Sequence, residues 1–436
     1  MSASLEDIVS LAKRRGFIYR GSEIYGGLAG TWDYGPLGVM LKQNIQNVWW
    51  EHFVRERDDM YPLDSAILMP EKVWEASGHL AGFNDPMVVC SNCHSIFRAD
   101  QIDTKKCPNC GKEKTFGKPR QFNMMLKTSF GVVEEDSIAA YLRPETAQGI
   151  FTNFKNVVDS FQPDIPFGIA QIGKAFRNEV SPRDFIFRDR EMEMMEIEYF
   201  IDPKADWQKL FDYWLDQQKE YLEHIGVNTS LIKQFEHPDK DRSHYSQRTV
   251  DWEFEYPFGR KELTGLAYRT DYDLSAHMKH SGKSLTYQPK NGGEPFVPHV
   301  LEPTFGVERL VLAALTSAYT EDEIGGEKRI YLKLPEHIAP VKVAVFPLLK
   351  NKPELVKKAR EVYKRLKAEI GNVMWDDNGN IGKRYRRQDE IGTPFAVTID
   401  FDTLEDDTVT LRDRDTTEQK RYKLDALHDE LHSKGL

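Results

Sequence analysis

The sequence predicts an α+β fold in two domains, and three observations carry that reading. Across the first 337 residues, strand-like stretches, long helices and Gly-rich turns mix without strand–helix–strand rhythm, which favours an antiparallel sheet. From residue 341 onward strands and helices alternate, the pattern of a small α/β unit with a mixed sheet. Between 86 and 120 lie all four cysteines, in two close pairs, which marks an insertion. The expected organisation is therefore 1–337, with the cysteine insertion at 86–120 and a helical insertion at about 203–247, followed by 338–436. The join falls near Pro335 to Pro340.

Composition narrows the function classes. The chain has 436 residues, 40% hydrophobic and 11% aromatic, enough for sizeable cores. Its net charge of −10 argues against nonspecific coating of nucleic acid, where a basic balance is the rule. No apolar run approaches the ~20 residues of a membrane helix. Met1 to Gly16 holds Lys13-Arg14-Arg15 but no apolar core of a secretion signal. A soluble, cytoplasmic protein is expected.

Elements of the first domain follow from local pattern. Cys90-x2-Cys93 and Cys107-x2-Cys110 each form a knuckle that presents two thiolates, and Gly111 can take the positive φ such a turn needs. Four sulfurs at this spacing favour a closed, structural Zn2+ site over two disulfides or free thiols, with His94 an alternative ligand. The stretch Gln171 to Phe200 reads as strand, loop, strand, with turn residues at Ser181-Pro182-Arg183-Asp184. Along its second strand Met192 and Met194 alternate with Glu191 and Glu193. The phase then flips to apolar Met195, Ile197 and Tyr199 with polar Glu196 and Glu198, which predicts a bulge near Met194. Four arginines (177, 183, 188, 190) and several carboxylates share this hairpin, whose flanks are apolar. A charged solvent-facing hairpin is the plain alternative. Arginine suits bidentate phosphate binding, and adjacent carboxylates suit a metal ion or an ammonium group. Glu302-Pro303-Thr304-Phe305-Gly306-Val307-Glu308-Arg309-Leu310 then leads into an apolar helix through Ala318, and an arginine in a first helical turn can seat a terminal phosphate.

In the second domain, 341–349 reads as a buried strand. Pro353 opens a helix with Leu355, Ala359, Val362, Tyr363, Leu366 and Ile370 on one face, ended by Gly371. Val373 to Asp376 reads as a strand, and Ile381 to Ile391 as a basic helix ended by Gly392. Phe395 to Phe401 and Thr408 to Arg414 read as two further strands. From 338 on there are 19 Lys/Arg against 18 Asp/Glu, so the remainder carries −11. Lys350 to Lys367 holds eight basic and two acidic residues, and Lys383, Arg384, Arg386 and Arg387 form a second cluster. A solvated helix face is the plain alternative for such runs, and two basic helices in one small domain of an acidic chain favour an RNA-facing surface.

Other nucleotide signatures fail. No G-x-G-x-x-G follows a strand. Ser281-Gly282-Lys283-Ser284 lacks the leading glycine of a P-loop, His277 standing there instead. His224-Ile225-Gly226-Val227 reads as a helix end.

The hairpin and the Glu302–Leu310 segment resemble motifs 2 and 3 of the class II aminoacyl-tRNA synthetases, and the chain as a whole resembles the dimeric glycyl-tRNA synthetases. The likeness extends through SEIYGGLAGTWDYGPLG at 22–38, Val73 to His79, Phe97-Arg98-Ala99-Asp100, and Leu142-Arg143-Pro144-Glu145-Thr146-Ala147-Gln148-Gly149. It continues through Glu262-Leu263-x-Gly265, Tyr268 to Leu274 with His277, and Asp389 to Pro394. The resemblance implies a class II synthetase-like catalytic domain with a zinc-ribbon insertion, a C-terminal anticodon-binding domain, and ATP, Mg2+, glycine and tRNA(Gly) as partners. Arg177, Glu179 and Arg309 would be catalytic. ATP would lie against Arg177, Asn178, Glu179, Phe187, Arg188, Asp189, Arg190, Glu191, Met192, Glu262, Leu263, Gly306, Val307, Glu308 and Arg309. Glycine would lie among Arg98, Glu145, Met192, Glu193, Met194, Met195, Glu196, Glu302, Pro303, Thr304, Phe305 and Gly306. Homodimer pairing would run through motif 1, placed near Ile67 to Pro70. Two positions depart from the family pattern: Met192 stands where Phe is usual, and Thr304 where Ser is common.

Overall fold

The computed structural model describes residues 3–100, 102–132, 137–243 and 245–435. The large domain is built on a seven-stranded sheet. Its strands are β1 (Met60–Pro62), β2 (Phe167–Phe176), β3 (Glu191–Ile201), β4 (Ile232–Glu236), β5 (Arg248–Tyr256), β6 (Gly259–Thr270) and β7 (His299–Gly306). They lie in the order β4-β5-β6-β7-β3-β2-β1. Every neighbouring pair is antiparallel except β1 with β2.

Period-two alternation divides the work between the two faces. Met195, Ile197 and Tyr199 of β3 and Leu301 and Phe305 of β7 point to one side. There they join the main core with α1 (Leu5–Arg15), α2 (Pro36–Trp50), α4 (Trp207–His224) and α6 (Val307–Ala318). The opposite face is half covered. Ile169, Phe200 and Val300 pack under α3 (Ala147–Phe161) and α5 (Tyr272–Ser281). The uncovered half is left for a ligand. Gly38 shows how tightly α2 seats: a Cβ there would lie 1.8 Å from the Phe17 carbonyl oxygen.

Two expectations for this domain need correction. Pairing of β2 with β3 runs unbroken from Phe167↔Phe200 to Phe176↔Glu191, so no bulge lies at Met194. The phase change marks where the strand becomes buried on both faces, from Met194 onward. The segment 203–247 is not purely helical: it holds α4 and also β4, the edge strand of the main sheet. Gly226 does end the turn after α4, at φ +78°.

The second domain has a five-stranded sheet in the order β9-β8-β10-β11-β12. The strands are β8 (Val343–Pro347), β9 (Val373–Trp375), β10 (Phe395–Ile399), β11 (Thr408–Asp413) and β12 (Gln419–Lys423). α7 (Pro353–Ile370) and α10 (Leu427–Ser433) share one core with the sheet, and α8 (Ile381–Ile391) packs on its other face. Asn380 caps α8 by accepting from the Lys383 amide, and Gly392 closes it at φ +81°. Phe401 opens a short helix, α9 (Phe401–Asp406), rather than ending a strand. β12 was not anticipated.

The basic cluster on α8 is also corrected. Arg384 is fully buried and donates to the backbone carbonyls of Pro347, Asp377 and Gly379. Arg387 forks onto Asp376 and Arg386 pairs with Glu327. Arg384 is thus structural, whereas Lys383 stays exposed and Arg386 and Arg387 are partly exposed beside their acidic partners. The domains meet at Arg329, on the strand Glu327–Leu332. It is fully buried with Asp389 and donates to Asp389 (3.3 Å) and the Arg414 carbonyl (2.7 Å), while Arg412 forks onto Asp389 at 2.8 and 3.0 Å. Asp389→Ala removes the carboxylate onto which buried Arg412 forks and one of the two that buried Arg329 holds, Asp322 being the other. It is expected to destabilise the protein by about 3–5 kcal/mol, seen as a lowered calorimetric unfolding midpoint.

Candidate active site

The open half of the sheet floors a cavity of about 420 Å³. Pocket-facing positions alternate along the strands: Met192, Met194 and Glu196 on β3, Glu302, Thr304 and Gly306 on β7, Gly265 and Ala267 on β6, Thr249 and Asp251 on β5. Glu262 also faces the cavity, an odd number of residues from Gly265. A bulge between Trp252↔Thr264 and Glu253↔Glu262 makes that possible by leaving Leu263 unpaired.

Cations gather at one end. Arg177 follows β2 directly; its Nε donates to the Pro144 carbonyl at 3.1 Å and its guanidinium lies over Phe83. Arg309, in the first turn of α6, pairs with Glu262 at 2.9 Å and sits 4.6 Å above the Phe187 ring, which Tyr256 and Phe258 brace edge-on. Arg309 holds the Glu262 carboxyl below its usual range. Glu179 is buried and accepts from Arg188 at 2.7 Å. Acids beside this end carry raised affinity for protons. Burial, then Glu308, pushes Asp189 to about 8, and burial pushes Glu308 itself to about 7. Burial, then Glu262, pushes Asp251 to about 7, against the pull of His237 at 2.7 Å.

Acids dominate the other end. Glu196 accepts from the Thr146 amide (2.6 Å) and the Thr146 hydroxyl. Burial and Glu145 raise its pKa. Glu145 accepts from Gln148 at 3.1 Å and lies 3.2 Å from His79 Nε2. Burial opposes its charge, yet His79 holds it well below the carboxylate range. Glu302 accepts from Arg269 at 2.7 Å. Burial pushes it to about 8, Arg269 opposing and Glu196 and Glu145 adding to the rise. Arg269 also forks onto Asp273 and lies between the rings of Tyr245 (3.9 Å) and Phe151 (5.3 Å). Gln148 donates to both Glu145 and Asp273, which ties the two carboxylates into one network. Arg98 enters from the cysteine insertion, steadied by Asp85 (2.9 Å) and Asp100 (2.7 Å).

Most residues expected at the site meet here, and eight do not line the cavity. Glu193 points to the other face and pairs with Lys42, while Met195, Phe305 and Val307 lie in the main core. Pro303 alternates to the same side as Phe305. Asn178 serves through its backbone, donating to the Met124 carbonyl, and Glu191 pairs with Lys174. Arg190 braces the loop by donating to the carbonyls of Glu179 and Ala29. Sequence reading missed Met124, Ile186, Ser243, Tyr245, Thr249, Asp251, Leu266 and Ala267. Strand alternation extended to β5 could have found Thr249 and Asp251; the loop residues carry no pattern.

In the insertion, the four Sγ atoms lie within 4.8 Å of one another, with Cys90–Cys110 and Cys93–Cys107 each at 3.7 Å. A zinc tetrahedron with Zn–S bonds of about 2.3 Å has edges of about 3.8 Å, so the cluster is compatible with zinc. Gly111 takes φ +70° in the second knuckle.

Two family models match. The class II tRNA synthetase core domain (G, H, P, S and T) spans residues 130–318, and an anticodon binding domain spans 342–434. Sheet, cavity and second domain together define a class II tRNA synthetase. Three curated relatives carry the name glycine–tRNA ligase. That of Thermobifida fusca is 48% identical, covering 98% of this chain and 97% of its own. That of Clostridium acetobutylicum is 48% identical (99% and 98%), and that of Borrelia garinii subsp. bavariensis 49% (97% and 96%). The chain belongs to the glycine–tRNA ligase family.

Glu302 gives a pH prediction. Its pKa is raised, so below about 8 it holds a proton in the unliganded protein. An ammonium group binds the ionised form. The KM for an amino-acid substrate should therefore fall as pH rises from 6 to 8, measured by initial rates at saturating ATP.

Proposed function

We propose that the chain activates glycine with ATP to glycyl-adenylate and transfers the glycyl group to the 3′ end of tRNA(Gly). The observation that carries this is a single cavity with Arg177 and Arg309 at one end and buried Glu145, Glu196 and Glu302 at the other. The glycine carboxylate oxygen attacks the α-phosphorus in line; the new P–O bond forms as the bond to pyrophosphate breaks. The terminal tRNA adenosine hydroxyl then attacks the glycyl carbonyl, and AMP leaves with the bonding pair. No protein nucleophile takes part. Arg177 stabilises charge on the α-phosphate and Arg309 on the terminal phosphate, and positioning supplies the rest. Phe187 offers the adenine an aromatic face. Mg2+, bound with the nucleotide, would neutralise phosphate charge, and Glu262 and Glu308 are hard oxygen donors placed to hold it.

Selection of glycine rests on charge and space. The acid end attracts an ammonium group. Carboxylates stand where a side chain would project, and the methyl of Thr304 narrows the pocket further. A larger apolar pocket gains only about 1–3 kcal/mol per methylene, whereas exclusion of everything bulkier than hydrogen is steric and needs no editing domain.

The cysteine cluster holds one structural Zn2+, supported by its sulfur spacing. The second domain receives the anticodon, supported by its family match and by the basic stretch 350–367 on α7. Two copies pair in the cytoplasm. Leu68, within the expected motif 1, and Phe130 and Ile138 are exposed on one small sheet, which suits a partner surface.

Glycine-dependent exchange of labelled pyrophosphate into ATP tests the reading; no exchange by zinc-loaded protein rejects it. Arg177→Ala should slow exchange on the order of 10²–10³-fold, the loss of one preorganised stabiliser. Metal analysis should find one zinc per chain, and Cys107→Ser should abolish it; retention of zinc by that variant rejects the four-sulfur site.

A further inference from the structure

The pocket-facing side of β3 carries one more acid, which no step above uses. Glu198 is fully buried, and neither carboxyl oxygen has a hydrogen-bond partner among the described residues. Register fixes its neighbour. Glu196 pairs with Thr304 and Tyr199 with Leu301, which sets Glu198 across from Glu302. Facing Cβ atoms on antiparallel neighbours lie about 4.5–5.5 Å apart, so a turn of either side chain brings the carboxyl groups together.

The nearby cation is already committed. Arg269, from β6, gives Nε and one terminal nitrogen to Asp273 and the other terminal nitrogen to Glu302. The other charged groups facing Glu198 are acids: Glu302 from β7, Glu196 from β3 and Asp273 from α5. From β2 it meets Ile169, its strand partner, which brings no charge. A carboxylate here would lack water, lack a donor and sit among like charges. Such a group takes up a proton rather than bear several kcal/mol of desolvation. Burial, with Glu302 next, drives the Glu198 pKa well above the usual carboxyl range.

We propose that Glu198 is a positioning residue for glycine: an uncharged carboxylic acid whose O–H turns to Glu302, so that, with the substrate ammonium bound, the facing pair holds one proton and one negative charge. Glu302 then has one oxygen on Arg269 and its partner oxygen steadied by Glu198, and its remaining lone pairs meet the substrate ammonium in a fixed direction. An ionised Glu198 would add a second charge and leave Glu302 free to swing. This inference rests on the glycine reading above.

Glu198→Gln keeps shape and an N–H donor but cannot ionise; Glu198→Ala removes the donor. Pyrophosphate exchange should give E198Q a glycine KM within about threefold of the parent, and E198A one raised about tenfold or more with the ATP KM little changed. Infrared difference spectra, parent minus E198Q, should show the C=O stretch of an un-ionised carboxyl across neutral pH. Equal loss of glycine affinity in E198Q and E198A, or a carboxylate band in that difference, overturns the proposal. Absence of glycine-dependent exchange in the parent would refute the glycine reading instead, and the infrared band would still decide the charge of Glu198.

Discussion

The site depends on gathering carboxyl groups where there is little water to solvate them. Glu145, Glu196, Glu302 and Asp273 are all buried on or beside one sheet face, with Arg269 the buried guanidinium among them. An unpaired buried carboxylate neutralises itself, so each must be given donors. His79 and Gln148 serve Glu145, the Thr146 amide and hydroxyl serve Glu196, and Arg269 serves Glu302 and Asp273. The donors are too few to neutralise the acids. The network is left with excess negative charge, which an ammonium group would offset. Charge deficit and cavity are thus one feature seen from two sides.

The far end of the cavity solves the opposite problem. Arg177 and Arg309 remain charged at any working pH, and without a ligand their charge is parked on weak or exchangeable partners. Arg177 rests on a backbone carbonyl and an aromatic face, and Arg309 on Glu262 and Phe187. Neither is locked in a bidentate carboxylate fork of the kind that holds Arg269 to Asp273. A phosphate can displace such contacts at modest cost. The two ends therefore differ in kind: fixed acids for a small cation, movable cations for a polyanion.

Much of this was legible in the sequence where local pattern and chemistry agree. The cysteine knuckles, the Pro353 start and Gly371 stop of α7, and the Gly392 stop of α8 are local signals, and each stands as expected. Legibility failed where a distant contact decides. Arg384 reads as a surface cation, yet carbonyls at Pro347, Asp377 and Gly379, brought by the fold, bury it. Glu193 and Met195 were grouped with Glu196 because they are close in sequence, but period-two alternation sends them to the other face. Glu196 and Glu198 read only as the polar positions of their strand. Only the pairing of β3 with β7 shows that they lie inside.

One continuous stretch of chain joins both halves of the molecule. β7 brings Glu302 and Thr304 to the acid end, and Gly306 turns the chain into α6. The first turn of α6 presents Arg309 to the other end. The helix then leads through the hairpin Tyr319–Ile324 and Glu327–Leu332 to Arg329, which is buried against Asp389. Helix and hairpin have no loop long enough to absorb a change of angle. The position of α8, and of the domain built on it, is therefore referred to the same rigid run that carries Arg309. Had the domains met through an exposed, screened ion pair, worth ~1 kcal/mol or less, that reference would be loose. A buried cluster makes it firm: Arg329 and Arg412 share Asp389, Arg329 also forks onto Asp322, and Arg414 donates to Asp415 and the Gly392 carbonyl, donor directions that only one arrangement of the neighbours satisfies.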